Sequence, residues 1–175
     1  MSAFQTARPA MNLSATAKTL AALLAERRVR VVFAESCTAG LVSATLARVP
    51  GISEWHCGSA VVYRYQTKTD WLGVSARDLA KYSAVSEPIA RQMALGVLRS
   101  TVEADYSAAV TGHLGPQAPP ELDGVIFIGI AHRRAGKPRV FDVRRFQLAK
   151  SSRVHRQREA ARLTLERLLD AIRDS

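Results

Sequence analysis

Apolar positions along this chain keep two rhythms, one helical and one extended. From Leu13 to Arg27 they recur at helical spacing, with Leu20, Leu23 and Leu24 on one stripe, which predicts a helix burying one face. Val29 to Phe33 is a β-branched run that reads as a buried strand. Leu41, Val42, Leu46 and Val49 then resume the helical rhythm until Pro50-Gly51 breaks it. Gly58 to Tyr65 predicts a second strand, and Gln66 to Gly73 a short helix closed by its glycine. Ser75 is placed to cap a helical turn over 76–82. Ser86, Glu87 and Pro88 open another helix, with Ser86 as its cap and Ile89, Met93, Val97 and Leu98 inside it. A third strand is expected over 105–111, followed by a Gly/Pro-rich loop to Asp123. Gly124 to His132 is apolar almost throughout, so both its faces should be covered. Arg139 to Leu148 returns as an antiparallel strand. A last helix starts at Ser151 or Ser152 and carries Leu163, Leu165, Leu168, Leu169 and Ile172 on its core side.

Alternating strands and helices followed by a late hairpin predict an α/β fold. The expected form is a three-layer α/β/α sandwich with a mixed, mainly parallel sheet. A length of 175 residues with 47% apolar content suits one core, assigned to residues 13–175, with 1–12 as a flexible N-terminal tail. No apolar run is long enough to span a bilayer, so no membrane partner is expected. With only Cys37 and Cys57 and no signal-like segment, a reducing cytoplasm is the expected location. His56-Cys57 is adjacent rather than ligand-spaced, and His113, His132 and His155 stand alone, so no metal site is expected.

Charge alters this picture in one respect. The net charge is +10, and residues 133–175 hold 13 Lys or Arg against 5 Asp or Glu. Such an excess favours phosphate-bearing partners; the plainer alternative is a solvated helix face laced with i,i+4 pairs. Nucleic acid is disfavoured, because Tyr63, Tyr65 and Trp71 are not interleaved with the basic stretch as base-stacking platforms.

Two strand exits offer reactive groups, 34–40 and 110–116, and ligands in open α/β sheets lie outside strand ends. Ser36 and Cys37 sit where the first strand hands over to a helix, and unpaired N–H groups there can hold an anion. The plain alternative is a serine N-cap. A serine needs a base to attack an amide. Lysine can serve if burial lowers its pKa, although spacing alone makes Lys68 a surface residue first. Cys37 is a rival nucleophile, stabilised at a helix start and forming a Glu-Lys-Cys set with Glu35 and Lys68; otherwise it is a small buried hydrophobe.

Ala34-Glu35-Ser36-Cys37-Thr38-Ala39-Gly40, Val85-Ser86-Glu87-Pro88 and Ala109-Val110-Thr111-Gly112-His113-Leu114-Gly115-Pro116 resemble, in order and spacing, the CinA C-terminal domain family. The stretch 49–55, the Tyr63 and Lys68 pair, and Leu72-Gly73-Val74 fit as well. The resemblance implies an α/β/α, commonly homo-oligomeric amidohydrolase that converts nicotinamide mononucleotide to nicotinic acid mononucleotide and ammonia. It implies Ser36 as nucleophile, Lys68 as base and Tyr63 assisting, with neither metal nor organic cofactor. Glu35, Thr38, Ala39, Gly40, Thr111, Gly112, Gly115 and Lys150 are the implied substrate-binding residues. Among them the N–H groups of Thr38 to Gly40 would meet the oxyanion, and Gly112, Gly115 and Lys150 the phosphate. Several positions depart from the family pattern. The usual Gly-Ile-Ala-Gly-Pro turn carries His113 and Leu114, the following Gly-Gly is replaced by Gln117 to Pro120, and Gly-Asp-Arg reads Leu148-Ala149-Lys150. These changes keep open an altered-substrate or non-catalytic nucleotide-binding protein.

Overall fold

A computed structural model describes residues 12–175 of the chain; of the expected tail over 1–12, residues 1–11 lie outside the described residues. Asn12 is not tail. Its side chain accepts from the Ala15 N–H at 2.8 Å and caps the first helix, α1 (Leu13–Arg27).

Five strands form one sheet: β1 (Val31–Glu35), β2 (His56–Val61), β3 (Tyr106–Gly112), β4 (Val125–Arg134) and β5 (Lys137–Gln147), in the order β2-β1-β3-β4-β5. β1 pairs in parallel with β2 and β3, while β3–β4 and β4–β5 are antiparallel. Only β4 therefore runs against the rest, and the mixed, mainly parallel sheet follows.

Every residue of β1 is buried because helices cover both faces. One layer holds α1, α2 (Leu41–Leu46) and α6 (Arg153–Arg173), whose leucines meet Phe33, Val110, Ile126, Ile128 and Ile130. Full burial of a side chain such as Phe33 stabilises the fold by about 1.5–3 kcal/mol. The other layer holds α3 (Tyr65–Leu72), α4 (Ala76–Tyr82) and α5 (Glu87–Ser100) over a smaller-sided face built on Val32, Ala34, Ala109 and Ala131. Small residues let α5 approach closely. A Cβ at Gly129 would lie 2.6 Å from the Ala90 carbonyl oxygen, and Ser107 Oγ donates to the Ala94 carbonyl at 2.8 Å.

Gly96 of α5 is tighter still, since a Cβ there would collide with the backbone carbonyl of Leu72 at the end of α3. A backbone atom cannot rotate away as a side chain can. Gly96→Ala is therefore expected to destabilise the protein by about 2 kcal/mol or more, read as a lower urea midpoint, despite alanine's better helix propensity.

Several boundaries differ from the sequence expectation. The second strand ends at Val61, and Tyr65 begins α3 rather than closing the strand. The aromatic Tyr63-Arg64-Tyr65 stretch suggests a strand, but the chain leaves the sheet after Val61. Within β2, Val31 pairs with His56 and Val32 with Gly58, so Cys57 is an extra residue bulged out of the ladder. Ser86 takes the N-cap position of α5 as expected, but its side chain caps no helix N–H; its hydroxyl donates to the Ser83 carbonyl at 3.0 Å. Ser152 rather than Ser151 caps α6. The basic C-terminal quarter is partly neutralised at short range, through Arg162–Glu166, Arg167–Asp170 and Arg167–Asp142. Among the described residues no helix is long and apolar enough to cross a membrane.

Candidate active site

The first strand exit is built around a carboxylate. Glu35 ends β1 with no exposed surface, and its two oxygens accept five hydrogen bonds. One oxygen takes Thr38 Oγ1 (2.8 Å), Gly40 N (2.9 Å) and Val42 N (3.0 Å). The other takes Ser43 N (2.9 Å) and Ser59 Oγ from the edge strand (3.0 Å). The side chain thus does the work of an N-cap for α2, whose own cap residue, Gly40, has none to offer. The turn winds tightly through Ala39 and Gly40, at φ 52° and 95°.

That turn presents Ser36, 9% exposed, to Lys68, 1% exposed. Lys68 Nζ donates to Ser36 Oγ at 3.0 Å and to the Val62 carbonyl at 2.6 Å. Contrary to its spacing, Lys68 is a core residue: α3 directs its long side chain inward beneath the turn that carries Ser36. Burial away from water pushes the amine down from its ordinary 10.5 to about 8, with Cys37 opposing slightly. Val62 also closes a circuit, because its N–H donates to the Glu35 carbonyl at 2.8 Å. One residue, Val62, therefore ties the residue before Ser36 to the amine that faces Ser36.

Cys37 lines the same cavity but in an inert form. Burial, reinforced by the Glu35 charge and opposed by its backbone N–H, Lys68 and Arg153, pushes the thiol up to about 12. A Glu-Lys-Cys arrangement is not what forms: Glu35 is spent on the turn, and no hydrogen bond joins Cys37 to Lys68 among the described residues.

The cavity has a volume of about 290 Å³, close to the lower end for a small-molecule site. Its floor is Ser36, Cys37 and Lys68, and its walls come from Tyr63, Tyr65, the 83–85 loop, Arg153 and the 111–118 loop. Thr111 Oγ1 donates to the Ala84 carbonyl at 2.7 Å, joining two of those walls. Gly112 has no room for a side chain against Ile126 and the Val125 carbonyl. Behind the loop, Arg156 forks onto Asp123 at 2.7 and 2.9 Å and also reaches the Leu114 carbonyl. That guanidinium holds the Asp123 carboxyl below its ordinary range.

The expected site residues thus fall into separate groups. Ser36 and Lys68 meet. Tyr63 stands at the rim, 52% exposed, where its hydroxyl accepts from Arg153 at 2.8 Å rather than touching the pair. Thr111, Gly112 and Gly115 line the cavity, but Lys150 does not. Glu35 faces the turn, and with it go the expected oxyanion donors. Ala39 N is bonded to the Ser36 carbonyl and Gly40 N to Glu35. Among the described residues, the turn N–H groups with no acceptor on another residue are those of Cys37 and Thr38. Arg153 and His113 also line the cavity. The basic C-terminal run hid the first, whose position at the start of α6 was the available signal. Among the described residues no three His, Cys, Asp or Glu side chains gather as metal ligands.

The chain is thus an α/β/α sandwich with a buried serine beyond the carboxyl end of β1 facing a buried lysine of α3. The sequence model of the CinA C-terminal domain matches residues 13–172, and the chain belongs to that family. It is 34% identical over 143 residues to a CinA-like protein of Chlorobium limicola, covering 81% of this chain and 33% of that protein. A putative competence-damage inducible protein of Clostridium beijerinckii is 41% identical over 113 residues, covering 63% and 27%. The chain therefore spans about a quarter to a third of the length of these curated relatives. Among solved structures, the competence/damage inducible protein CihA from Agrobacterium tumefaciens superposes with a TM-score of 0.84 at 28% identity, over 98% of this chain and 99% of that one. The competence damage-inducible protein A from Klebsiella pneumoniae gives 0.83 at 27% identity, over 91% and 96%.

Proposed function

We propose that this protein is an amidohydrolase that deamidates nicotinamide mononucleotide, with Ser36 as nucleophile and Lys68 as general base. The observation that carries this reading is the 3.0 Å contact between Ser36 Oγ and a buried lysine amine whose pKa has fallen to about 8. At that pKa about one molecule in ten holds a neutral amine at pH 7. Its N–H stays on the Val62 carbonyl, which turns the lone pair toward Ser36.

The neutral amine takes the Ser36 proton as Oγ attacks the carboxamide carbon, and the carbonyl oxygen becomes an oxyanion. The N–H groups of Cys37 and Thr38, which among the described residues have no acceptor on another residue, lie within the same turn and serve as its donors. Collapse expels ammonia, which carries away the proton held by Lys68, and leaves an acyl ester on Ser36. Water, deprotonated by the same amine, then attacks the ester and releases nicotinic acid mononucleotide. With this go the homo-oligomeric state and the freedom from cofactors implied by the family resemblance, and the cytoplasmic location expected from the two cysteines.

Ammonia release from nicotinamide mononucleotide by the purified protein tests the reading. Ser36→Ala is expected to abolish it, whereas Cys37→Ala lowers it by a few-fold at most, because the donor at 37 is backbone. The reverse pattern would move the nucleophile to Cys37. No release from the wild-type protein would remove the deamidase assignment.

A further inference from the structure

The serine–lysine pair handles the amide end of a substrate, and nothing so far holds the other end. Among the described residues the cavity is lined by Lys68, Arg153 and His113 and by no aspartate or glutamate, so its field favours an anion. Lys68 is committed to Ser36 and Val62 at the floor. Arg153 is exposed at the start of α6, with one terminal nitrogen on the Gly115 carbonyl at 2.7 Å and the other on Tyr63 Oη at 2.8 Å. These two neutral acceptors fix the plane of the guanidinium at the cavity and use two of its five N–H donors. Among the described residues it has no carboxylate partner, unlike Arg156, Arg162 and Arg167.

His113 is held by its backbone, N–H to the Val125 carbonyl at 2.9 Å and carbonyl to the Gly124 N–H at 3.0 Å. Its half-buried ring has no hydrogen-bond partner among the described residues. A planar carboxylate would use two of the remaining guanidinium donors; a phosphate presents three oxygens and matches the fork and a ring N–H together.

We propose that Arg153, with His113 as a second donor, is the specificity determinant that reads a phosphate monoester, and so sets the preference for a nucleotide over its nucleoside. The identity of the nucleotide rests on the deamidase reading; the phosphate subsite does not.

Two measurements keep the two apart. The first is the thermal midpoint in inorganic phosphate against chloride of equal ionic strength. Phosphate is expected to raise the midpoint of the wild-type protein and of Ser36→Ala, but not that of Arg153→Met, with Arg153→Lys between them. Equal protection of Arg153→Met, or no protection of the wild type, overturns the subsite. The second is calorimetric binding of nicotinamide mononucleotide and nicotinamide riboside to Ser36→Ala. The nucleotide is expected to bind roughly 10- to 150-fold more tightly than the nucleoside. Adding Arg153→Met should bring that ratio near one, and adding His113→Ala should lower it by several-fold. A ratio that survives Arg153→Met overturns the proposal. Arg153-dependent protection by phosphate with no ammonia release from the nucleotide would instead retain the subsite and remove the deamidase reading.

Discussion

Lys68→Met is expected to abolish amide hydrolysis and, at neutral pH, to make the protein harder to unfold. Both effects come from one cause. The amine titrates near 8 in the folded protein and near 10.5 when exposed. Below pH 8 it is protonated in both states, and the folded state bears the whole cost of a buried charge. As pH rises from 8 to 10.5, the folded state gives up its proton before the unfolded chain does. Stability therefore rises with pH through that window. Between pH 7 and pH 10 the wild-type protein should gain about 2–3 kcal/mol relative to Lys68→Met. Methionine fills the space without a charge, at the cost of leaving the Val62 carbonyl without its donor. Urea unfolding of the two proteins at pH 7 and pH 10 reads this difference. A constant gap between them would mean that Lys68 is not the titrating group. On the proposed mechanism the rate follows the same sign: kcat/KM is expected to rise with pH and level above about 8, because only a neutral amine can accept the Ser36 proton.

Glu35→Gln carries the second large effect. Five donors converge on the carboxylate, and an amide nitrogen in place of either oxygen faces at least two of them with no lone pair. Each orphaned buried group costs about 1–3 kcal/mol, so a loss of roughly 3–5 kcal/mol is expected. The turn that aims Ser36 and exposes the N–H groups of Cys37 and Thr38 should loosen as well. In protein that remains folded, kcat is expected to fall about 100-fold or more, the range seen when one oxyanion donor is lost, while KM changes little. Normal turnover by Glu35→Gln would show that the backbone alone holds the turn.

Much of the scaffold was legible because hydrophobic rhythm is local. α1 and α4 begin and end where the pattern places them, and the last helix keeps its leucine stripe toward Phe33 and Ile128. The second strand was misplaced because Tyr63 and Tyr65 suit a strand, whereas the chain leaves the sheet at Val62, whose carbonyl serves Lys68. The motif around Ser36 was readable; what each of its members does was not. Glu35 looked like a ligand for substrate, and only the convergence of donors from α2 and β2 reveals a structural anchor. Lys68 looked exposed because burial of one lysine depends on where α3 lands, and that depends on a glycine 28 residues later, Gly96, pressed against Leu72. Lys150 and Arg153 are three residues apart in one basic run, and only the start of α6 decides which of them borders the cavity.

Val62 is bonded through its N–H to the residue before Ser36 and through its carbonyl to the Lys68 amine, and this bears on how the protein tolerates motion. β2 is an edge strand, the kind of element that frays first. Fraying past Val62 would break its N–H bond to the Glu35 carbonyl and its carbonyl's hold on the Lys68 amine in one event. Either the pair stays in register while the margin breathes, or both halves let go together. The protein should therefore lose competent molecules in an all-or-none fashion as it warms, with those that remain working at full rate.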